Sequence, residues 1–258
     1  MIVHGSASNA QQRRRQIEVG SDLFYKGEWL ESGQDPLLSP TIFLVEQPPN
    51  TNLPGHFHGE NQFQVFVQGT GRIGSHEIGP ISVHYAGAYT GYGPLIAGPE
   101  GVFYFTIRAV YEAGMMRATD ASKMVRGPKR QCVSEQMTPA EPAALARLLS
   151  VETEDLIAMQ PDGIAARVLR LPPDGEASGL EPSSGGGQFY IVLGGELLHG
   201  EKTLQHWESL FVSNDEQAVS IQAGRGGLEV LCLQMAHKDP VYVAAKQAAW
   251  SARQATVA

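Results

Sequence analysis

Apolar and polar residues alternate along positions 62–69, so that Phe63, Val65 and Val67 fall on one side of an extended strand while Gln62, Gln64, Phe66 and Gln68 fall on the other. Short runs rich in β-branched and aromatic residues, bounded by glycine or proline, recur at 21–29, 41–47, 72–77, 79–86 and 102–110. About eight such short strands in the first half predict an all-β unit. A further strand is predicted at 164–171, and helical signals are confined to two places. Thr138-Pro-Ala-Glu141 reads as a capping box with proline at the first helical position, continued by 143–149; Val241, Ala244, Ala245, Ala248 and Ala249 recur at helical spacing near the end.

The pattern also repeats. Gln188-Phe-Tyr-Ile-Val-Leu-Gly-Gly195 follows Gln62-Phe-Gln-Val-Phe-Val-Gln-Gly69 at an offset of 126 residues, and Gly200 stands to Gly195 as Gly74 stands to Gly69. A repeat of whole-domain size argues for duplication of one β unit. The chain of 258 residues, 42% hydrophobic and 18% charged, is long enough for two such units.

Composition narrows the partners. A net charge of −8 disfavours nucleic acid, and the basic run Arg13-Arg14-Arg15 reads as a solvated arm in a polar tail. Cys132 and Cys232 lack paired spacing and read as reduced thiols. No apolar run has signal-peptide or membrane-span character, so the expected location is the cytoplasm, with no membrane partner.

Chemistry concentrates at His56 and His58. Residues two apart on a strand share a face, so both imidazoles can address one point, and Gln62 opens the next strand where it can face the same cavity. Two imidazoles and an amide oxygen would hold a divalent cation and leave positions open for water and substrate. Dinucleotide, phosphate-loop, nucleophile-elbow and His-Glu-x-x-His motifs are absent from the sequence.

At these residues the sequence resembles the cupin family, whose first motif matches His56, His58, Gln62 and Gly69. With the repeat, the resemblance extends to the two-domain cupins over nearly the whole chain. It implies two tandem jelly-roll β-barrels with a short linking helix and a C-terminal helix: a tail at 1–20, a first barrel at 21–125, a linker at 126–160, a second barrel at 161–237 and a helix at 238–258. It implies iron, manganese, zinc or nickel in the first barrel. The family's fourth ligand, a histidine, falls on Thr90 here, and Tyr85 and Gly87 stand where the second motif has proline and glycine. His84 and Glu60 are the candidate substitutes, with Gln64 and Tyr92 as pocket residues.

The offset places Pro182 and Ser184 where the first repeat has His56 and His58, so the second barrel is degenerate. His199, His206 and His237 then read as structural. Two functions follow: a metal-dependent dioxygenase, decarboxylase or isomerase acting on a small molecule, or a metal-free small-ligand-binding or sensory protein. Family resemblance adds a homodimer.

Overall fold

The computed structural model describes residues 1–112 and 114–257. The alternation at 62–69 matures into the strand Gln62–Ile73, the centre of a nine-stranded antiparallel sheet. Its order is Gln131–Val133, Ser82–Ala86, Gln62–Ile73, Leu95–Arg108, Thr41–Gln47, Asp22–Glu31 and Arg15–Val19, with Asn52–Leu53 and His76–Ile78 added at the sides. The second repeat builds an eight-stranded sheet in the order Ile2–Gly5, Ser209–Val212, Gln188–His199, Ser220–Gln234, Ala165–Leu171 and Glu152–Ile157, with Glu176–Ser178 and Lys202–Leu204 added at the sides. Both are all-β jelly-roll units. Their sheets curl without closing through hydrogen bonds, each path ending in two edge strands.

Alternation divides the core into three parts. Gln62, Gln64 and Phe66 point into the first unit, where Phe66 packs with Phe24, Val45, Tyr92 and Tyr104. Tyr190 and Val192 point into the second unit, against Leu169, Leu210 and Val230. The opposite faces meet each other: Phe63, Val65, Phe105 and Ile107 of the first repeat share one cluster with Phe189, Ile191, Leu231 and Leu233 of the second. All eight are fully buried. At roughly 1.5–3 kcal/mol for each buried side chain of this size, this joint is a principal source of stability.

The units also exchange strands. Ile2–Gly5, at the start of the first repeat, pairs antiparallel with Ser209–Val212 of the second. Gln131–Val133, at the start of the second, pairs with Ser82–Ala86 of the first. The expected tail at 1–20 is therefore corrected: it is a strand, the short helix Ala7–Gln12 capped by Ser6, and the strand Arg15–Val19. The arginine run is anchored rather than free, with Arg13 on Glu31 at 2.6 Å, Arg14 on Glu46 at 2.7 Å and Arg15 on Glu28 at 2.8 Å. Glu28 is buried, which the sequence pattern around it does not announce.

The linking helix is shorter than its pattern predicts. It runs over Pro142–Leu145, and Glu141 is extended (φ −64°, ψ 142°) instead of helical. The cause is local: Pro142 disfavours the α conformation at the residue before it, so a helix capped at Thr138 cannot pass Glu141. Leu145 anchors the turn in the core while Leu149 is 97% exposed. The C-terminal helix, Pro240–Val257, forms as its spacing predicts.

Gly69 and Gly195 close the equivalent strand bends with φ of +73° and +71°, each where a Cβ would collide with a carbonyl oxygen, of Gly101 and Gly227 respectively. Gly69→Ala and Gly195→Ala should each lower unfolding free energy by about 1–3 kcal/mol from backbone strain, more with the clash. Gly20→Ala, at a φ of +67° but facing open space, should lose only the left-handed penalty of about 1–2 kcal/mol. Urea unfolding of the three variants checks the order; equal losses would contradict it.

Candidate functional site

Parity brings the predicted residues together. His56 lies in the short strand His56–Phe57, bridged to Tyr92 by paired backbone hydrogen bonds of 3.1 and 3.0 Å. His56, His58, Gln62, Gln64 and Tyr92 all line one cavity of about 170 Å³ inside the first unit. Its remaining wall is largely apolar, from Phe24, Phe43, Val45, Leu53 and Met115. The rings of His56 and His58 stand edge to face with centroids 5.2 Å apart.

The centre of the site is a residue that the histidine motif does not reveal. Arg108, at the end of the strand Leu95–Arg108, is 3% exposed. Its Nε and Nη2 donate to Gln62 Oε1 at 3.0 and 2.8 Å, Nη2 lies 3.1 Å from both ring nitrogens of His58, and Nη1 donates to the Glu112 backbone carbonyl at 3.1 Å. Every one of these partners is uncharged. Glu112, also missed in the sequence, sits in the loop beyond: its Oε1 accepts from the Gly59 backbone N–H at 2.7 Å, and its Oε2 lies 3.2 Å from His58 Nδ1. That last contact is a close approach without an aligned hydrogen bond, and Oε2 has no other donor.

The electrostatics follow from burial. His58 is pushed down to about 4, first by desolvation and then by the Arg108 charge. Desolvation also lowers His56, whose Nδ1 donates to the Pro54 carbonyl at 2.8 Å and so leaves the lone pair on Nε2. Burial raises Tyr92, which receives the second hydrogen bond of the Gln62 amide. Burial opposes ionisation of Glu112, but His58, Arg108 and the Gly59 N–H together hold it below the usual carboxylate range.

Three candidates behave otherwise. His84 is fully buried and points the same way as Gln64, donating to Gln64 Oε1 at 2.8 Å and meeting Gln131 Nε2 at 3.2 Å; both ring nitrogens are occupied, and desolvation takes it down to about 3. Thr90 is corrected: its Oγ1 accepts from the Arg130 backbone N–H at 3.0 Å, outside the cavity. Glu60 is corrected as well. It neither leans into the site nor stays solvated, but is 3% exposed and paired with Lys238 and Lys246 at 2.5 and 2.7 Å.

The implied metal does not fit this donor set. Gln62 Oε1, one of the three expected ligand groups, already accepts from Arg108 Nε and Nη2, and Nη2 packs 3.1 Å from both nitrogens of the His58 ring. Like unit charges 4 Å apart repel by about 4 kcal/mol at an effective dielectric of 20, so the guanidinium opposes a dication beside it, and the one carboxylate near His58, that of Glu112, offsets this only in part. Among the described residues, no cluster of three or more His, Cys, Asp or Glu is arranged to hold a metal ion.

The second repeat carries the same network in neutral form. Gln234 occupies the position of Arg108 at the same offset; its Oε1 accepts from Gln188 Nε2 at 2.8 Å, and its Nε2 donates to Ser184 Oγ at 2.9 Å. Gln188 and Ser184 are the counterparts of Gln62 and His58. Tyr190, the counterpart of Gln64, fills the interior and donates to Gln188 Oε1 at 2.6 Å. That offset was the signal in the sequence that could have singled out Arg108.

No family model and no curated protein matches the chain. Solved structures do. A deletion variant of Bacillus subtilis oxalate decarboxylase superposes with a TM-score of 0.58 at 12% identity, over 92% of this chain and 78% of that one. Lactobacillus farciminis oxalate decarboxylase in a formate complex gives 0.58 at 13%, over 92% and 87%. YhhW from Escherichia coli gives 0.53 at 14%, over 92% and 98%. At these identities the likeness is one of fold.

His58 and His84 are neutral in the folded chain and regain an ordinary value near 6.5 on unfolding. The unfolded chain therefore binds more protons below that pH, and stability falls as pH drops from about 6.5 towards 4. Thermal midpoints recorded between pH 7.5 and 4.5 should decline over this window, less steeply in His84→Asn. A midpoint flat to pH 4.5 would contradict the assignment.

Proposed function

Because the chain has the two-repeat cupin fold, with an interior cavity in its first unit, we propose that this cavity is a metal-independent binding site for a small organic carboxylate. One observation carries the reading. Arg108 is a buried guanidinium whose hydrogen bonds all go to uncharged atoms, at a position where the second repeat performs the same bridging with the neutral Gln234. The scaffold does not need the charge. Burying one costs several kcal/mol unless a counter-charge joins it. Glu112 supplies part of that compensation at longer range, and a ligand carboxylate would supply the rest through a charge-assisted pair, for which guanidinium is well shaped.

The cavity sets the size of the ligand. A protein cavity of roughly 150 Å³ lined by apolar side chains accommodates benzene. The apolar wall of Phe24, Phe43, Val45 and Leu53 therefore suits a compact body about one ring across, with its acid group towards Arg108 and Tyr92. His56, His58 and Gln62 act as neutral hydrogen-bonding groups at that polar end, and no metal takes part. This is a binding function; the oxalate decarboxylases share the fold, and their chemistry does not transfer through it.

Arg108→Gln is the informative variant, since Gln234 shows that glutamine fits. It should fold with a thermal midpoint equal to or above the parent's. Benzoate and C4–C8 monocarboxylates should raise the parent midpoint while their amides do not, and calorimetric affinity should fall at least tenfold in Arg108→Gln, as expected for losing a charged hydrogen-bond partner. Equal affinity in the two proteins would overturn the reading. So would one tightly held metal per chain in the parent after reloading with iron, manganese, zinc or nickel and desalting.

A further inference from the structure

The C-terminal helix Pro240–Val257 lies over the first unit, not the second to which the sequence attaches it. A cavity of about 610 Å³ separates it from the barrel, with Glu60 and Tyr111 on the barrel side and Lys246, Ala249 and Trp250 on the helix side. Glu112, Gly114 and Met115 line both this chamber and the inner cavity. The helix is thus the outer wall of an antechamber to the site.

Its attachment is polar. Tyr242 is the buried residue among the described side chains of the helix. It donates to the Pro128 carbonyl at 2.7 Å and stacks obliquely on Tyr89 with centroids 5.3 Å apart. The other fastening is a buried charge cluster: Glu60 receives Lys238, just before the helix, and Lys246, within it, while Lys246 also reaches the Tyr111 carbonyl at 3.3 Å. Segments held by few apolar contacts open at far lower free energy than core strands.

Glu60 connects that fastening to the site. It belongs to the turn between His58 and Gln62, whose neighbour Gly59 donates to Glu112 and whose Asn61 accepts from the Ala88 N–H at 2.9 Å. We infer that the C-terminal helix is a gate over the antechamber, latched by Glu60 through Lys238 and Lys246, and that its opening exposes to solutes the wall of Glu112, Gly114 and Met115 that the antechamber shares with the inner cavity. The inference concerns access and does not depend on which ligand the cavity holds.

Hydrogen exchange and alkylation test it without a ligand. Amides of residues 241–252 should exchange at least a hundredfold faster than those of Gln62–Ile73 and Ser220–Gln234. Glu60→Gln should accelerate helix exchange about tenfold and leave the strands unchanged. In a Met115→Cys background, Glu60→Gln should raise the rate of iodoacetamide modification at position 115 by a similar factor, located by peptide mass. Lys246→Met, which removes one latch partner on the surface side, should act in the same direction if Glu60→Gln fails to fold. Exchange of the helix only with global unfolding would overturn the gate, as would a loosened helix with no change in alkylation.

Discussion

Two-residue periodicity is the constraint on which the molecule depends. The strand that opens with Gln62 presents polar side chains to a cavity and, one residue out of phase, commits Phe63 and Val65 to a core shared with Phe189 and Ile191. A slip of one residue would exchange those faces, exposing the joint and filling the cavity together. The site is therefore positioned by the packing between repeats. Leu95–Arg108 obeys the same rule, since Phe105 and Ile107 join the shared core while Thr106 and Arg108 line the cavity.

Duplication gave one architecture two electrostatic outcomes. In the second unit a glutamine pair, a serine and a tyrosine satisfy one another inside a filled interior. In the first, a guanidinium replaces one glutamine, a histidine replaces the serine, and the tyrosine becomes Gln64. The charge introduced lacks a close counter-ion. Buried polar networks specify structure when every member is satisfied; here the satisfied copy is scaffold, and the copy left with charge to compensate is the one that faces empty space.

Much of this was legible in the sequence, for reasons that are themselves local. Alternation fixed the faces of Gln62–Ile73, and the spacing of His56 and His58 placed both rings at one cavity. What escaped depended on distant partners. Glu60 sits in a turn where parity lets it face the site and polarity suggests solvent, yet lysines some 180 residues away bury it. Thr90 fell on a ligand position by counting, but the backbone of Arg130 holds its hydroxyl. Arg108 falls within the run 102–110, where no motif marks it. The metal expectation came from His56, His58 and Gln62 with the family resemblance, and the residue that argues against it lies fifty positions beyond His58.

The exchange of first strands has a bearing on how the chain comes to be folded. When synthesis has passed the first repeat, its sheet still lacks the edge that Gln131–Val133 will provide. Ile2–Gly5 waits longer, because its partner Ser209–Val212 is among the last strands to be made. Pairings so remote in sequence carry a large loop-closure cost and slow the search for the native state. Neither unit can be completed on the ribosome in isolation, so the nascent chain must keep the strand Ile2–Gly5 unpaired and soluble until most of the second repeat has emerged. The polar helix and arginine-bearing strand that follow it are well suited to that interval.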